Sequence, residues 1–296
     1  MVILADNNYY STTMKLYYIL TAFLVVTIVN AQDKLPYQLY NPKGKKTTYK
    51  KLLKAAEGAD VVLFGEHHDN SINHWLELEL TKDLSEKKEL IMGAEMVEAD
   101  NQDELDQYLK GEIDQKAFDT VARLWNNHKT DYKPLVDFAK DNNIPFIATN
   151  IPRRYASMVY RKGFGVLDTL SVQEKEWIAP LPIAYDATLP GYVKMLEMMG
   201  GHGGENLPKA QAVKDATMGY FIAQNLQEGK VFVHYNGTYH SDNFEGINWY
   251  LKREKPGVKI ITIAAVSQAN VSKLEEEHLQ KADFILVIDE DMTKTY

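Results

Sequence analysis

Residues 61–70 are Val61-Val62-Leu63-Phe64-Gly65-Glu66-His67-His68-Asp69-Asn70, an apolar run that passes straight into four polar, ligand-capable side chains. Val61 to Phe64 has the length and β-branched content of an inner strand, and Gly65 lets the backbone turn where the strand stops. A glutamate, two histidines and an aspartate follow at once, at the strand's carboxyl end. In an open parallel α/β sheet that edge is where ligands bind, because the loops diverge there and leave a crevice. Glu66, His67, His68 and Asp69 are therefore candidates to line a site, with His74 joining them from a helix that starts near Ser71. A solvated histidine pair is the plainer account of a lone His-His. The strand and Gly-Glu before it and the further histidine after it weigh against that account.

Short apolar runs recur at 61–65, 89–96, 144–149, 230–235, 258–266 and 284–288, which gives six expected strands. Helix-period segments fall at 49–57, 72–85, 100–109, 134–142, 210–227 and 243–253. Strand alternating with helix implies βαβ units: an α/β fold, a mainly parallel sheet with helices on both faces. No strand is evident between Pro152 and Gln227, a stretch punctuated by Pro180, Pro182, Pro190 and the glycines 200, 201, 203 and 204. It reads as a helical insertion, about 152–227, over the ligand edge. The expected organisation is a signal peptide at 1–31, a polar arm and first helix at 32–57, the α/β domain at 58–288 and a tail at 289–296.

The other strands repeat the polar ending of the first. The second ends at Glu95, the third runs into Asn150-Ile151-Pro152-Arg153-Arg154, and the fourth ends His234-Tyr235-Asn236-Gly237-Thr238-Tyr239-His240. Four strands thus deliver titratable groups to one rim, whereas random placement would scatter them over both ends. Imidazole with carboxylate can hold a divalent metal, activate water or act as general acid and base. Imidazole with phenolate can ligate haem iron. Residue types alone leave both open. Tyr192 to Gly204 adds Met195, Leu196, Met198 and Met199 between Tyr192 and His202, an adaptable apolar surface that equally suits a core helix. Gly201-His202-Gly203-Gly204 matches neither a Walker spacing nor a dinucleotide fingerprint. His128 and His278 are expected in solvent, and Trp125 and Trp249 need no function.

Bulk properties narrow the classes. The chain of 296 residues carries a net charge of -8, which argues against nucleic acid as a partner. Lys15 followed by the apolar run from Leu16 to Val29 and by Ala31 has the form of an export leader, with Met14 as the expected start. There is no cysteine, hence no disulfide, thiolate metal site or lipidated cysteine.

Gly65-Glu66-x-His68-Asp69 with His74, Glu95-Met96, and Leu105-Asp106-x-Tyr108-Leu109-x-Gly111 resemble the ChaN-like haem-binding family. So do, in order, Tyr132-Lys133-Pro134-Leu135, Asn150-Ile151-Pro152-Arg153, Ala210-Gln211 with Lys214 to Met218, and Gly237 to His240 before Gly246-Ile247. The resemblance spans residues 58–270. It implies an exported haem-binding protein of haem or iron uptake, with outer-membrane uptake machinery as a partner. It also implies a homodimer sharing haem, with a tyrosine on the iron and a histidine from the second protomer. Many members are lipoproteins; without cysteine this chain is expected to be periplasmic or secreted and not lipidated. Glu66, His68, Asp69, His74, Glu95, Arg153 and His240 carry over by position. The iron ligand is sought among Tyr185, Tyr192, Tyr235 and Tyr239, with Tyr192 preferred for its methionine-rich surroundings and His202 beside it. The wider superfamily includes metal-dependent proteases and erythromycin esterases, so a metal-dependent hydrolase using Glu66, His68 and His240 is the alternative. His67 stands where the family commonly has an apolar residue.

Overall fold

The protein is seen as a computed structural model that describes residues 34–198 and 204–296. The expected leader and His202 lie outside the described residues. Seven strands occur among the described residues: β1 (Tyr37–Tyr40), β2 (Val61–Glu66), β3 (Leu90–Glu98), β4 (Phe146–Asn150), β5 (Val231–Gly237), β6 (Ile260–Gln268) and β7 (Phe284–Asp289). They form one sheet in the order β1-β7-β6-β2-β5-β3-β4. All neighbours are parallel except β1, which runs antiparallel to β7. The inner strand β2 is buried at every residue, as a strand covered on both faces must be.

β1 is the strand that the six-strand expectation missed. Its four residues sit in a polar segment between Pro36 and Pro42, too short to show an alternation. It forms because Tyr37 to Tyr40 pair with Ile288 to Ile285 at the sheet edge and the buried Tyr40 donates its hydroxyl hydrogen to Val271 O at 2.7 Å. The parallel strands also run one or two residues past their expected carboxyl ends. Glu66, Glu98, Asn150 and Gly237 are consequently strand residues, held by the ladder.

The helices are α1 (Tyr49–Glu57), α2 (Ser71–Ser85), α3 (Gln102–Leu109), α4 (Gln115–Val121), α5 (Lys133–Asp141), α6 (Arg153–Lys162), α7 (Val172–Lys175), α8 (Pro190–Met198), α9 (Asn206–Asn225) and α10 (Ile247–Glu254). On one face Leu52, Leu80, Leu105 and Val136, from α1, α2, α3 and α5, pack with Val62, Phe64, Met92 and Tyr235. On the other, Met218 and Ile222 of α9 with Ile247 and Leu251 of α10 pack with Val61, Leu63, Ile91 and Phe232. Alternate residues of each strand therefore serve opposite layers. Between Pro152 and Gln227 the described residues are helical or irregular, and Tyr155, Val159, Leu167 and Val213 join Tyr250 in a cluster of their own. No helix among the described residues is long and apolar enough to cross a membrane.

The loop after β2 is short because Asn70 caps α2: its side-chain oxygen accepts from Ile72 N at 3.0 Å. This places His74 in the first turn, facing back toward β2. Two histidines expected in solvent are not there. His128 is buried on a π-helical turn, edge-on to Phe118 at 6.1 Å, and His278 is largely covered. Polar neighbours in sequence gave no sign of the layers that close over them.

Candidate functional site

Glu66, the last residue of β2, is the hub. It projects on the same face as Val62 and Phe64 and is fully enclosed. Its Oε1 accepts from the Tyr132 hydroxyl at 2.8 Å and faces His68 Nδ1 at 2.7 Å, while Oε2 lies 3.0 Å from His74 Nδ1. Burial opposes its charge, but the His68 hydrogen bond and the adjacent His74 imidazole outweigh it and bring the carboxyl down to about 2. His74 answers in kind: burial opposes charging, yet Glu66 and Glu77 lift it to about 11. Glu77, with no exposure, is pushed well above the usual carboxylate range by burial and by the Glu66 charge.

A second unit stands across the rim. Glu95 of β3 faces His240 Nε2 at 3.1 Å and accepts from Gly237 N at 2.8 Å. His240, on the 3-10 turn Thr238–His240, directs Nδ1 to Asp215 of α9. Burial works against a charged His240, but Glu95 and Asp215 raise it to about 9. Glu95 moves the opposite way: burial is overcome chiefly by His240, and its carboxyl is held far below the usual range. His68 Nε2 lies 4.0 Å from Glu95, joining the two units. Each imidazole is thus backed by a buried carboxylate, Glu66 or Asp215, and turns Nε2 toward Glu95. Such an arrangement can hold a cofactor, shuttle a proton or orient a water.

Two clefts open on this rim and share His68 and His240. One, of about 480 Å³, is lined by Met195, Met198, Leu207 and Tyr239. The other, of about 620 Å³, is lined by Glu95, Arg123, Trp125, Arg153 and Lys214. Trp125 stacks edge-on against His68 at 4.8 Å, so it borders the site where no role was expected of it.

Glu66, His68, His74, Glu95, Arg153 and His240 are brought together. Asp69 is not: it turns away to pair with Lys294 at 3.0 Å, where the carboxyl-terminal tail returns and Lys294 bridges to Asn70. His67 also leaves the cluster and donates Nε2–H to Ala265 O at 3.0 Å. Tyr235 is corrected as an iron-ligand candidate, because strand alternation sends it into the core, where its hydroxyl meets Thr81. Tyr192 is corrected as the preferred ligand. It is buried, its hydroxyl reaches Asp215 Oδ2 at 3.3 Å, and it does not line the methionine cleft. Tyr185 packs between Phe164 and Tyr192. His234 faces Thr149 inside the sheet layer, and burial lowers it to about 4. Arg154 pairs with Asp100 and lies over Tyr155. Tyr239 alone of the four tyrosines lines the methionine cleft, and it is 42 % exposed.

Asp215, Tyr132 and Glu77 were given no role from sequence. A signal existed for two of them. Asp215 falls among buried Ala212, Val213 and Ala216 of α9, and Glu77 between Leu76 and Leu80 on the inward face of α2. A carboxylate on an apolar helix face calls for a partner.

Residues 52–251 match the family described as haem-binding uptake, Tiki superfamily, ChaN. The chloroplastic Protein RETICULATA-RELATED 5 of Arabidopsis thaliana is 25 % identical over 210 residues, covering 63 % of this chain and 27 % of that protein. The chain thus spans about a quarter of the length of that relative. ChaN of Campylobacter jejuni, described for its cofacial haem binding, superposes with a TM-score of 0.63 at 18 % identity, covering 88 % of this chain and all of that one. At that identity the superposition establishes a common fold.

Proposed function

This chain belongs to the ChaN family of haem-binding uptake proteins in the Tiki superfamily, and from that premise we propose that it binds haem in the methionine-lined cleft, with the Tyr239 phenol as iron ligand. One observation carries the assignment: Tyr239 is the candidate tyrosine that stands in an apolar cleft, beside Met195 and Met198 and against His68 and His240. Methionine side chains adapt to a flat aromatic ligand, and a volume of about 480 Å³ is that of a ligand site. Arg153 and Lys214 in the adjoining cleft offer cations to the propionate carboxylates. Burial, then Asp242 and Glu245, raise the Tyr239 phenol, so ferric iron must displace its proton and binding weakens in acid. Met198, 69 % exposed, and Tyr239 leave an apolar lip that a second copy would cover, in keeping with the cofacial haem of the Campylobacter protein. Export by the leader, a periplasmic or secreted location and delivery to outer-membrane uptake machinery complete the reading; amino-terminal sequencing of the mature chain tests the first.

Haemin titration is the decisive experiment. A saturable Soret shift with a ferric phenolate charge-transfer band is expected, and Tyr239→Phe should remove that band and weaken binding about tenfold. A titration without saturation refutes haem binding. An unchanged spectrum in Tyr239→Phe refutes the ligand. Hydrolysis is the second reading, favoured by the two carboxylate-backed imidazoles that meet at Glu95. Glu66 there orients His68 from behind. An ester and peptide screen that finds turnover lost in both His68→Asn and His240→Asn would favour it.

A further inference from the structure

We propose that Glu66, His74 and Glu77 form a buried divalent-cation site behind the rim, suited to a transition ion such as Zn²⁺, Mn²⁺ or Fe²⁺. One oxygen of each carboxylate and a ring nitrogen of His74 lie within 4.8 Å of one another. His74 Nδ1 is 3.0 Å from Glu66 Oε2 and 3.5 Å from Glu77 Oε2. Donors bound to one ion at about 2.1 Å stand roughly 3.0–3.4 Å apart, so the two His74 distances need little adjustment for the donors to share a cation.

The second observation is the state of these atoms. Glu66 is 1 % exposed, His74 8 % and Glu77 0 %. Glu66 Oε2, His74 Nδ1 and both Glu77 oxygens nevertheless have no hydrogen-bond partner of acceptable geometry. They approach closely without an N–H aimed at an oxygen. Buried carboxylate oxygens left so are costly, and a cation at the point of convergence removes that cost.

The far side of His74 agrees. Its Nε2 lies 3.1 Å from His68 O and 3.5 Å from Asp131 Oδ2, both acceptors, so Nε2 carries a proton. When a cation enters, the ring gives up its Nδ1 proton and turns that lone pair to the ion between the two carboxylates. Metal-bound histidines are oriented in this way, the second nitrogen donating to a carbonyl or carboxylate. Asn127 secures the same carbonyl and Asp131, at 3.0 and 2.8 Å. Two oxygens and one imidazole nitrogen make a donor set for a borderline ion. Glu66 would hold the ion through Oε2 and His68 through Oε1, tying the buried site to the rim.

The test uses the haem-free full chain, stripped with chelator and titrated with Zn²⁺ and with Co²⁺. It is independent of the haem reading, whose failure would leave this result standing. One saturable equivalent, a raised Tm and the d–d absorption of low-symmetry Co²⁺ are expected. The isosteric Glu77→Gln should lose the equivalent or weaken it by at least about tenfold, while His240→Asn keeps it. Absence of a saturable equivalent shows that protons alone hold the cluster and overturns the proposal. Undiminished binding in Glu77→Gln overturns it too, as does loss in His240→Asn alone, which would put the ion on the rim. Circular dichroism checks that Glu77→Gln folds; should it not, the stoichiometry and Co²⁺ spectrum of the unaltered chain, together with His240→Asn, decide.

Discussion

Gly237 has no room for a side chain: a Cβ there would fall 2.7 Å from His68 Nε2 and 3.4 Å from Glu95 Oε2. The glycine at the end of β5 is what lets an imidazole from the neighbouring strand's loop reach Glu95. Gly237→Ala should give a folded protein with His68 displaced, about tenfold weaker haemin binding and an altered His68 titration by NMR. The pH response of the rim follows from its charged pairs. His240 titrates near 9 in the folded chain, raised above its unfolded value near 6.5, so its stabilisation is complete below pH 6.5 and is lost as pH rises toward 9. That loss is of order 3 kcal/mol. Glu66, lowered to about 2, contributes above pH 4.5 and loses its contribution as pH falls toward 2. Urea midpoints measured from pH 2 to 10 should fall on both sides, and Asp215→Asn should flatten the alkaline limb.

At the scale of elements, β1 and α8 separate what holds the fold from what faces the ligand. β1 covers the edge of β7, and Tyr40 anchors it from a buried position. A chain begun at residue 42 leaves the β7 ladder open, an invitation to pairing between molecules. It should melt several degrees lower and aggregate at concentrations the longer chain tolerates, as light scattering would show. Met198, on the last turn of α8, is mostly exposed, so Met198→Glu should leave Tm within about a degree while weakening haemin binding. An equal loss of both would mean that α8 belongs to the core. The two elements also differ in how they announce themselves. The helical period and methionines of α8 are visible from residue 192 onward. β1 is a strand only because β7 lies beside it.

For the whole molecule, the apolar lip around Met198 and Tyr239 predicts that haemin drives association. Sedimentation of the haem-free chain should give a monomer, and addition of haemin a dimer; Met198→Glu should abolish the shift. A dimer of equal stability without haemin would place the interface elsewhere. The layered architecture makes such a site possible: β2, β5 and β3 all end on one edge, and α9, packed on the sheet, brings Asp215 and Gln211 to His240. Parallel strands with returning helices oblige every loop after a strand to open on the same side. That is why polar strand endings read from sequence converged in space. The parallel α/β class, the starts of all six expected strands to within two residues, and the meeting of Glu66, His68, Glu95, Arg153 and His240 were legible in the sequence, because buried strands are written as continuous apolar runs and helices by their period. Pairing was decided only by tertiary structure. Glu66 takes His68, and Asp215 takes His240 from 25 residues away, since α9 packs on the sheet in one position. Tyr235 is buried because α2 closes over one face of β5, and nothing in the local sequence says which face that is; Tyr239 stays exposed because it lies past the strand, on the turn Thr238–His240.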